Sequence, residues 1–167
     1  MQALKEAITG KRVAVVGNST KIAGEDHVKF CNEVDYVLRM QRGVLRDDIR
    51  SATGNRCDIY VARKPLWCLE DSIFDTPKYR VWSSPDKAGS PSGVMYSPQE
   101  WIKPLVDELG SYPTQGVRAI DMCLRFGATP VLIGFGFYSP ECNEEPASHH
   151  NGDNERRWCE SRHLEIR

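Results

Sequence analysis

Two apolar runs near the N-terminus each stop abruptly at polar side chains. Residues 13–16 run into Gly-Asn-Ser at 17–19, and residues 34–38 run into Arg-Met-Gln-Arg at 39–42. An apolar strand, a polar turn, a helical crossover and a second apolar strand make up the βαβ unit of a parallel sheet. Ligands of such sheets bind in the crevice beyond the carboxyl ends of the strands. The sequence therefore predicts a binding site where these two strands end.

The rest of the chain predicts further elements of the same sheet. Strands are expected at 58–62, 79–82 and 130–133, and an amphipathic helix is expected at 98–109. A chain of 167 residues is long enough for one domain with a substantial core. We therefore predict a single α/β domain over residues 1–167, with a mostly parallel central sheet flanked by helices.

The composition argues against several classes of partner. With 22 basic and 23 acidic residues the formal net charge is -1, so no basic surplus indicates nucleic acid. No apolar run is long enough to cross a bilayer, and the N-terminal residues do not form a signal peptide. Without a secretion signal, the six cysteines are expected to be reduced thiols in a cytoplasmic protein. Cys123 lies on the apolar face of a predicted helix, where a buried and inert thiol is expected.

The turn after the first strand has two interpretations. Gly17 permits close backbone approach, and Asn18 and Ser19 are able to bind a phosphate, a ribose or a base. Alternatively, this is a structural turn from strand to helix capped by Ser19. It is not a P-loop, because Gly24 is followed by a glutamate, and Gly-x-Gly-x-x-Gly is absent. Arg39 and Gln41 follow the second strand, either as solvated rim side chains or as ligand contacts.

A second candidate site lies at the start of the helix that precedes strand 130–133. Thr114 is a natural N-cap, so the backbone N–H groups of Gln115, Gly116 and the next residues form a positive helix end. A phosphate or a carboxylate is able to dock there. The strand that follows ends in Gly-Phe-Gly at 134–136.

Three of the four histidines lie in the polar C-terminal segment. His149, His150 or His163 could take a proton from a hydroxyl near neutral pH. Alternatively, they could bind zinc together with Cys142 and Cys159, although no Cys-x-x-Cys pair is present. A third interpretation is a polar surface tail with incidental histidines. Neither Gly-x-Ser-x-Gly nor His-Glu-x-x-His occurs in the chain.

Several of these segments match the motifs of a known family. Residues 15–19 are Val-Val-Gly-Asn-Ser, and residues 35–42 are Asp-Tyr-Val-Leu-Arg-Met-Gln-Arg. Residues 113–116 are Pro-Thr-Gln-Gly, and a helix containing Met-Cys then leads to Ile-Gly-Phe-Gly at 133–136. In this order they resemble the large and small sialylmotifs of the sialyltransferases of glycosyltransferase family 29. The paired histidines and the later His-Leu-Glu at 163–165 resemble the two motifs that follow in that family.

The resemblance implies a GT-A-like, Rossmann-type fold and an inverting glycosyltransferase. It would move sialic acid or a related acidic sugar from a CMP-sugar to an acceptor hydroxyl, on a glycan or another molecule, without a metal or other cofactor. His163 would be the general base, and His149 or His150 would hydrogen-bond the leaving phosphate. The implied nucleotide contacts come from the strand ends and the helix tip: Gly17, Asn18, Ser19, Arg39, Gln41, Thr114, Gln115, Gly116, Gly134 and Gly136.

The chain also departs from the family pattern. Gln41 replaces an asparagine, and His150 replaces a tyrosine. No cysteine near Arg12 is present to pair with Cys123, as expected in a reducing compartment. Two alternatives stay open. The first keeps the fold but uses a different nucleotide-sugar, or a modified base of phage DNA as the acceptor. The second is a non-enzymatic nucleotide- or zinc-binding module. The turn-rich loop at 83–93 is a candidate lid over the donor.

Overall fold

A computed structural model describes residues 1–41, 43, 46–62, 77–82, 94–138 and 149–167. The predicted lid at 83–93 and Cys142 lie outside these residues. The described residues form seven strands: β1 (Arg12–Val16), β2 (Tyr36–Met40), β3 (Ile59–Ala62), β4 (Tyr79–Trp82), β5 (Val94–Tyr96), β6 (Thr129–Ile133) and β7 (Glu165–Ile166). They also form six α-helices: α1 (Gln2–Ile8), α2 (Val28–Glu33), α3 (Asp47–Thr53), α4 (Ile102–Leu109), α5 (Gln115–Arg125) and α6 (Gly152–Glu160).

The strands form one sheet in the order β5-β4-β3-β2-β1-β6-β7, and every pair in it is parallel. The prediction of an α/β fold with a mostly parallel sheet flanked by helices is confirmed. The chain leaves β1 toward β2 on one side and returns to β6 on the other, so the strand order reverses at β1. A parallel sheet opens a crevice at such a switch point, beyond the carboxyl ends of its strands.

The helices cover both faces of the sheet, because alternate residues of a strand point to opposite sides. Val13 and Val15 of β1 pack with α1, α4, α5 and α6. Ala14 and Val16 of the same strand pack with α2 and α3 on the other face. A strand buried on both sides is a continuous apolar run, which is the pattern the sequence shows at 13–16.

One local detail differs from the sequence-based expectation, and another agrees with it. Strand β2 begins at Tyr36 rather than at Val34, because the Val34 N–H still bonds to the Phe30 carbonyl at the end of α2. Cys123 is buried as a free thiol, and burial raises its pKa to about 12. That confirms the prediction of an inert thiol. Among the described residues, no helix has both the length and the apolar content to span a bilayer.

Candidate functional site

A cavity of about 630 Å³ opens at the carboxyl ends of β1, β2 and β6, where the strand order predicts a crevice. Its volume is in the range of small-molecule sites. The lining combines the two strand-end turns, the tip of α5, the segment after β6 and the paired histidines. The described residues that line it are Gly17, Asn18, Ser19, Met40, Gln41, Gln99, Tyr112, Pro113, Thr114, Gln115, Gly116, Arg118, Gly134, Phe135, Gly136, Phe137, Tyr138, His149, His150 and Glu155.

The turn after β1 is built against the turn after β6. The Gly17 N–H donates to the Ile133 carbonyl at 2.7 Å, and the Ser19 N–H donates to the Gly134 carbonyl at 3.0 Å. A Cβ on Gly17 would overlap the Gly134 carbonyl, so the close approach that Gly17 permits is to protein backbone. Ser19 accepts from the Lys21 N–H and caps a short 3₁₀ helix at Thr20–Ile22. The structural interpretation of this turn is therefore realised, while its three residues still line the cavity.

Asn18 and Gln41 carry polar groups at the ends of β1 and β2. The Asn18 side-chain oxygen Oδ1 is buried and has no hydrogen-bond partner among the described residues, which is energetically costly. Gln41 has a φ of 49°, in the left-handed region that non-glycine residues rarely adopt. Such conformations cluster at functional sites, where neighbouring structure holds them in place.

The tip of α5 is held by a residue that the sequence does not single out. Thr114 caps α5 by accepting from the Val117 N–H at 3.3 Å. Glu155 of α6 in turn accepts from the Thr114 N–H at 2.6 Å and from its hydroxyl at 2.9 Å. Glu155 is only 2% exposed, and burial raises its pKa to about 7, against the lowering effect of the two Thr114 bonds.

The paired histidines form an aromatic cluster at the cavity wall. Nδ1 of His150 lies 2.8 Å from the Tyr112 carbonyl, and Tyr112 itself donates its N–H to the His149 carbonyl at 3.1 Å. Because a carbonyl only accepts, Nδ1 of His150 carries a proton, and in the neutral ring the lone pair is then on Nε2. The Tyr138 ring stacks on His150 at 6.5 Å with an interplanar angle of 9°. This fixes the ring orientation of a histidine that lines the cavity.

His163, predicted to be the general base, is not brought to this cavity. It is exposed and lies in the turn after α6, where its N–H bonds to the Glu160 carbonyl at 2.9 Å. The cavity meets α6 at Glu155, in the first half of the helix, and α6 leads away from it. The local His-x-Glu pattern therefore does not place this histidine near the strand ends.

Arg39, predicted to contact the nucleotide, is buried inside the fold at 1% exposure. Its guanidinium donates to the hydroxyl and carbonyl of Thr53 and to the carbonyls of Gly54 and Arg56. These bonds satisfy carbonyls at the C-terminal end of α3, where a positive charge is favourable. Burial lowers the pKa of Arg39. The predicted nucleotide contact of Arg39 is therefore corrected. Alternate residues of a strand face opposite sides of the sheet, and the Arg39 side chain lies on the side of α3, where it links β2 to that helix.

We expect Arg39→Lys to lower the free energy of unfolding by about 2 kcal/mol, because one ammonium group cannot satisfy all these acceptors. Urea denaturation measures the change. Arg157→Lys, at an exposed position of α6, is the matched control and is expected to stay within about 0.5 kcal/mol. An Arg39→Lys variant of normal stability that binds nucleotide poorly would restore the original assignment.

In the described part of the chain, no group of three or more His, Cys, Asp or Glu side chains could hold a metal ion, so these residues do not support the zinc interpretation. Its predicted ligand Cys142 lies outside that part. Of its other ligands, Cys159 is buried in the core with α6, whereas His163 is exposed.

Two charged residues among the described cavity lining were missed by the sequence reasoning. Glu155 lies on the same face of α6 as the buried Trp158 and Cys159, so a carboxylate at the spacing of apolar residues was an available signal. Arg118 follows the α5 tip by one turn and lines the cavity, a position that helical spacing alone does not distinguish from a surface site.

Comparison with known proteins identifies the fold. No protein-family model matches the sequence, and no curated protein matches it. A crystal structure of a mammalian sialyltransferase in complex with Gal-beta-1-3GalNAc-ortho-nitrophenol matches with a TM-score of 0.67 and 16% identity, covering 98% of this chain and 71% of that one. Another mammalian sialyltransferase structure matches with a TM-score of 0.68 and 17% identity, covering 95% and 69%. The chain therefore shares the fold of these sialyltransferases.

Proposed function

We propose that this chain is an inverting glycosyltransferase that moves sialic acid or a related acidic sugar from a CMP-sugar to an acceptor hydroxyl. One observation carries the proposal. Residues from six separate segments, at 17–19, 40–41, 99, 112–118, 134–138 and 149–155, line one cavity at the switch point of the sheet. The proposal includes the GT-A-like, Rossmann-type classification, a cytoplasmic location and the single-domain organisation.

The nucleotide would occupy the strand-end side of the cavity. Asn18, Ser19 and Gln41 supply hydrogen-bonding groups for the cytidine ribose and phosphate, and Gly134 and Gly136 line the cavity beside them. Ser19 keeps its cap to Lys21, so its contact to a ligand would be an additional one.

The acidic groups of the donor would lie at the tip of α5. The first-turn N–H groups of Gln115 and Gly116 carry the positive end of the helix dipole, and Arg118 adds a full positive charge on the same wall. A phosphate and a sugar carboxylate both fit this chemistry. Preference for an acidic sugar over a neutral one is the corresponding expectation.

The base is reassigned in this proposal from His163 to His150. With its Nδ1 proton donated to the Tyr112 carbonyl, His150 presents Nε2 to the cavity side as a proton acceptor. Nε2 would remove the acceptor hydroxyl proton while the oxygen attacks the anomeric carbon and the bond to the CMP phosphate breaks on the opposite face. That in-line displacement inverts the configuration. His149, with its ring centroid 4.2 Å from that of His150, is left for the leaving phosphate.

No divalent ion is required in this scheme. CMP leaves as a phosphate monoester, which carries less charge to neutralise than a nucleoside diphosphate. The α5 tip, Arg118 and a histidine supply the compensating positive groups. We expect transfer to continue at the same rate in excess EDTA.

The test of the proposal is a transfer assay with CMP-N-acetylneuraminic acid and an aryl Gal-beta-1-3GalNAc acceptor, followed by mass spectrometry of the product. Calorimetry with CMP and UDP separates donor recognition from acceptor choice. Binding of CMP in preference to UDP supports the assignment even where this acceptor fails. Preference for UDP, or no nucleotide binding at all, would overturn it.

A further inference from the structure

The Asn18 carboxamide is seated directly against Gly43, the glycine just beyond the end of β2. A Cβ built on Gly43 would overlap Asn18 Oδ1 and would lie 2.7 Å from Cγ but 3.4 Å from Nδ2. The three distances increase along the carboxamide, so Oδ1 points at Gly43 and Nδ2 points away from it. Gly43 is buried, and its φ is not in the left-handed region, so its backbone would accept alanine.

The orientation of this carboxamide has a physical reason. Oδ1 is buried without a conventional donor, and the Cα–H groups of Gly43 are the weak donors that it faces. The flipped orientation would bury both N–H donors against a methylene group, which costs more than burying one acceptor. Asn18 therefore offers the cavity its amide nitrogen.

The backbone of Asn18 is fixed from a second direction. Nη1 of Arg46 donates to the Asn18 carbonyl at 2.8 Å, and Nε of Arg46 donates to Asp48 at 3.1 Å. The loop after β2 thus holds Asn18 through its main chain, while Gly43 sets the direction of its side chain. Because Gly43 has no Cβ, the Asn18 carboxamide has room to point its Oδ1 at residue 43.

We propose that Gly43 is a positioning residue, which turns the Asn18 amide nitrogen into the cavity to donate a hydrogen bond to a phosphate oxygen of the bound nucleotide. The inference rests on the proposed function, because it takes a nucleoside monophosphate as the ligand. It assigns donor chemistry to Asn18, so the ligand group opposite it is an acceptor.

Gly43→Ala tests the role of Gly43. We expect the variant to fold and to bind CMP with an affinity at least about tenfold lower, because one hydrogen bond to a charged oxygen is lost. Its affinity for cytidine, which lacks the phosphate, is expected to match the wild type. Equal losses for CMP and cytidine, or no loss for CMP, would overturn the assignment of Asn18 to the phosphate.

A double-mutant cycle with Asn18→Ala separates positioning from general damage to the fold. Asn18→Ala empties the space beside position 43, so adding Gly43→Ala to it is expected to cause no further loss of CMP affinity and no further fall in Tm. A Gly43→Ala change that lowers Tm equally in both backgrounds would overturn the positioning role. This thermal cycle needs no ligand. Absence of CMP binding by the wild-type protein would overturn both the proposed function and the phosphate assignment. The Tm values of the double-mutant cycle test separately whether the Asn18 side chain packs on Gly43.

Discussion

His150→Ala is expected to lower sugar transfer about 10²- to 10⁴-fold, the usual contribution of a positioned general base. Nδ1 of the ring is bonded to the Tyr112 carbonyl and the Tyr138 ring stacks beside it, so Nε2 is the nitrogen left for the proposed role of proton acceptor. CMP affinity is expected to stay close to that of the wild type, because the alanine removes no proposed contact to the nucleotide. Transfer rates at saturating donor, together with calorimetric CMP titration, measure the two effects separately.

The matched control is His163→Ala, which removes the other candidate base at an exposed position outside the cavity lining. It is expected to keep wild-type turnover. The reverse pattern, an inactive His163→Ala and an active His150→Ala, would show that the base lies where the short sequence motif suggests. In that case the cavity would be the wrong place for the reaction.

Glu155→Gln is expected to remove a large pH dependence of stability between about pH 4.5 and 7. Burial raises the pKa of Glu155 from 4.5 to about 7 in the folded protein. Between these values the folded state holds a proton that the unfolded state has lost, so the wild type becomes less stable as the pH rises. The difference of about 2.5 pKa units corresponds to about 3 kcal/mol, fully lost only above pH 7.

The glutamine is a neutral equivalent of the protonated acid and can still accept from the Thr114 N–H. Relative to this variant, the wild type is expected to lose about 3 kcal/mol of unfolding free energy between pH 4.5 and pH 8. Urea denaturation at a series of pH values gives that difference. Asp153→Asn, an exposed carboxylate in the first turn of the same helix, is the control and is expected to follow the wild-type curve. A parallel pair of curves for wild type and Glu155→Gln would mean that Glu155 ionises normally.

The sequence predicted the elements whose signals are local. A continuous apolar run at 13–16 indicated a strand buried on both faces, and β1 (Arg12–Val16) is that strand. Thr114 indicated a helix start, and its side chain caps α5. The meeting of the β1 turn and the α5 tip in one cavity also followed from the sequence, because parallel strands end at a common edge. The paired histidines were expected there only from the family resemblance.

The residues that the sequence reasoning misplaced or missed are positioned by contacts between distant parts of the chain. Arg39 has the residue type and the position of a strand-end ligand contact. The carbonyls that accept its hydrogen bonds, however, lie 14 to 17 positions further along the chain. In the sequence, Glu155 is not distinguished from other helical glutamates. Its role depends on the hydrogen bond from Thr114, which lies 41 positions away. His163 matched a motif by spacing, and spacing does not report the direction in which a helix runs from a cavity.

The sequence by itself determined five of the seven described strands, the caps at Ser19 and Thr114 and the edge of the sheet at which a ligand would bind, since periodicity and capping act within a few residues. The short strands β5 and β7 were not predicted. Only the tertiary structure decided which polar groups at that edge face the cavity. The chain folds Arg39 inward and seats Asn18 on Gly43, because burial and orientation are set by packing between elements far apart in sequence.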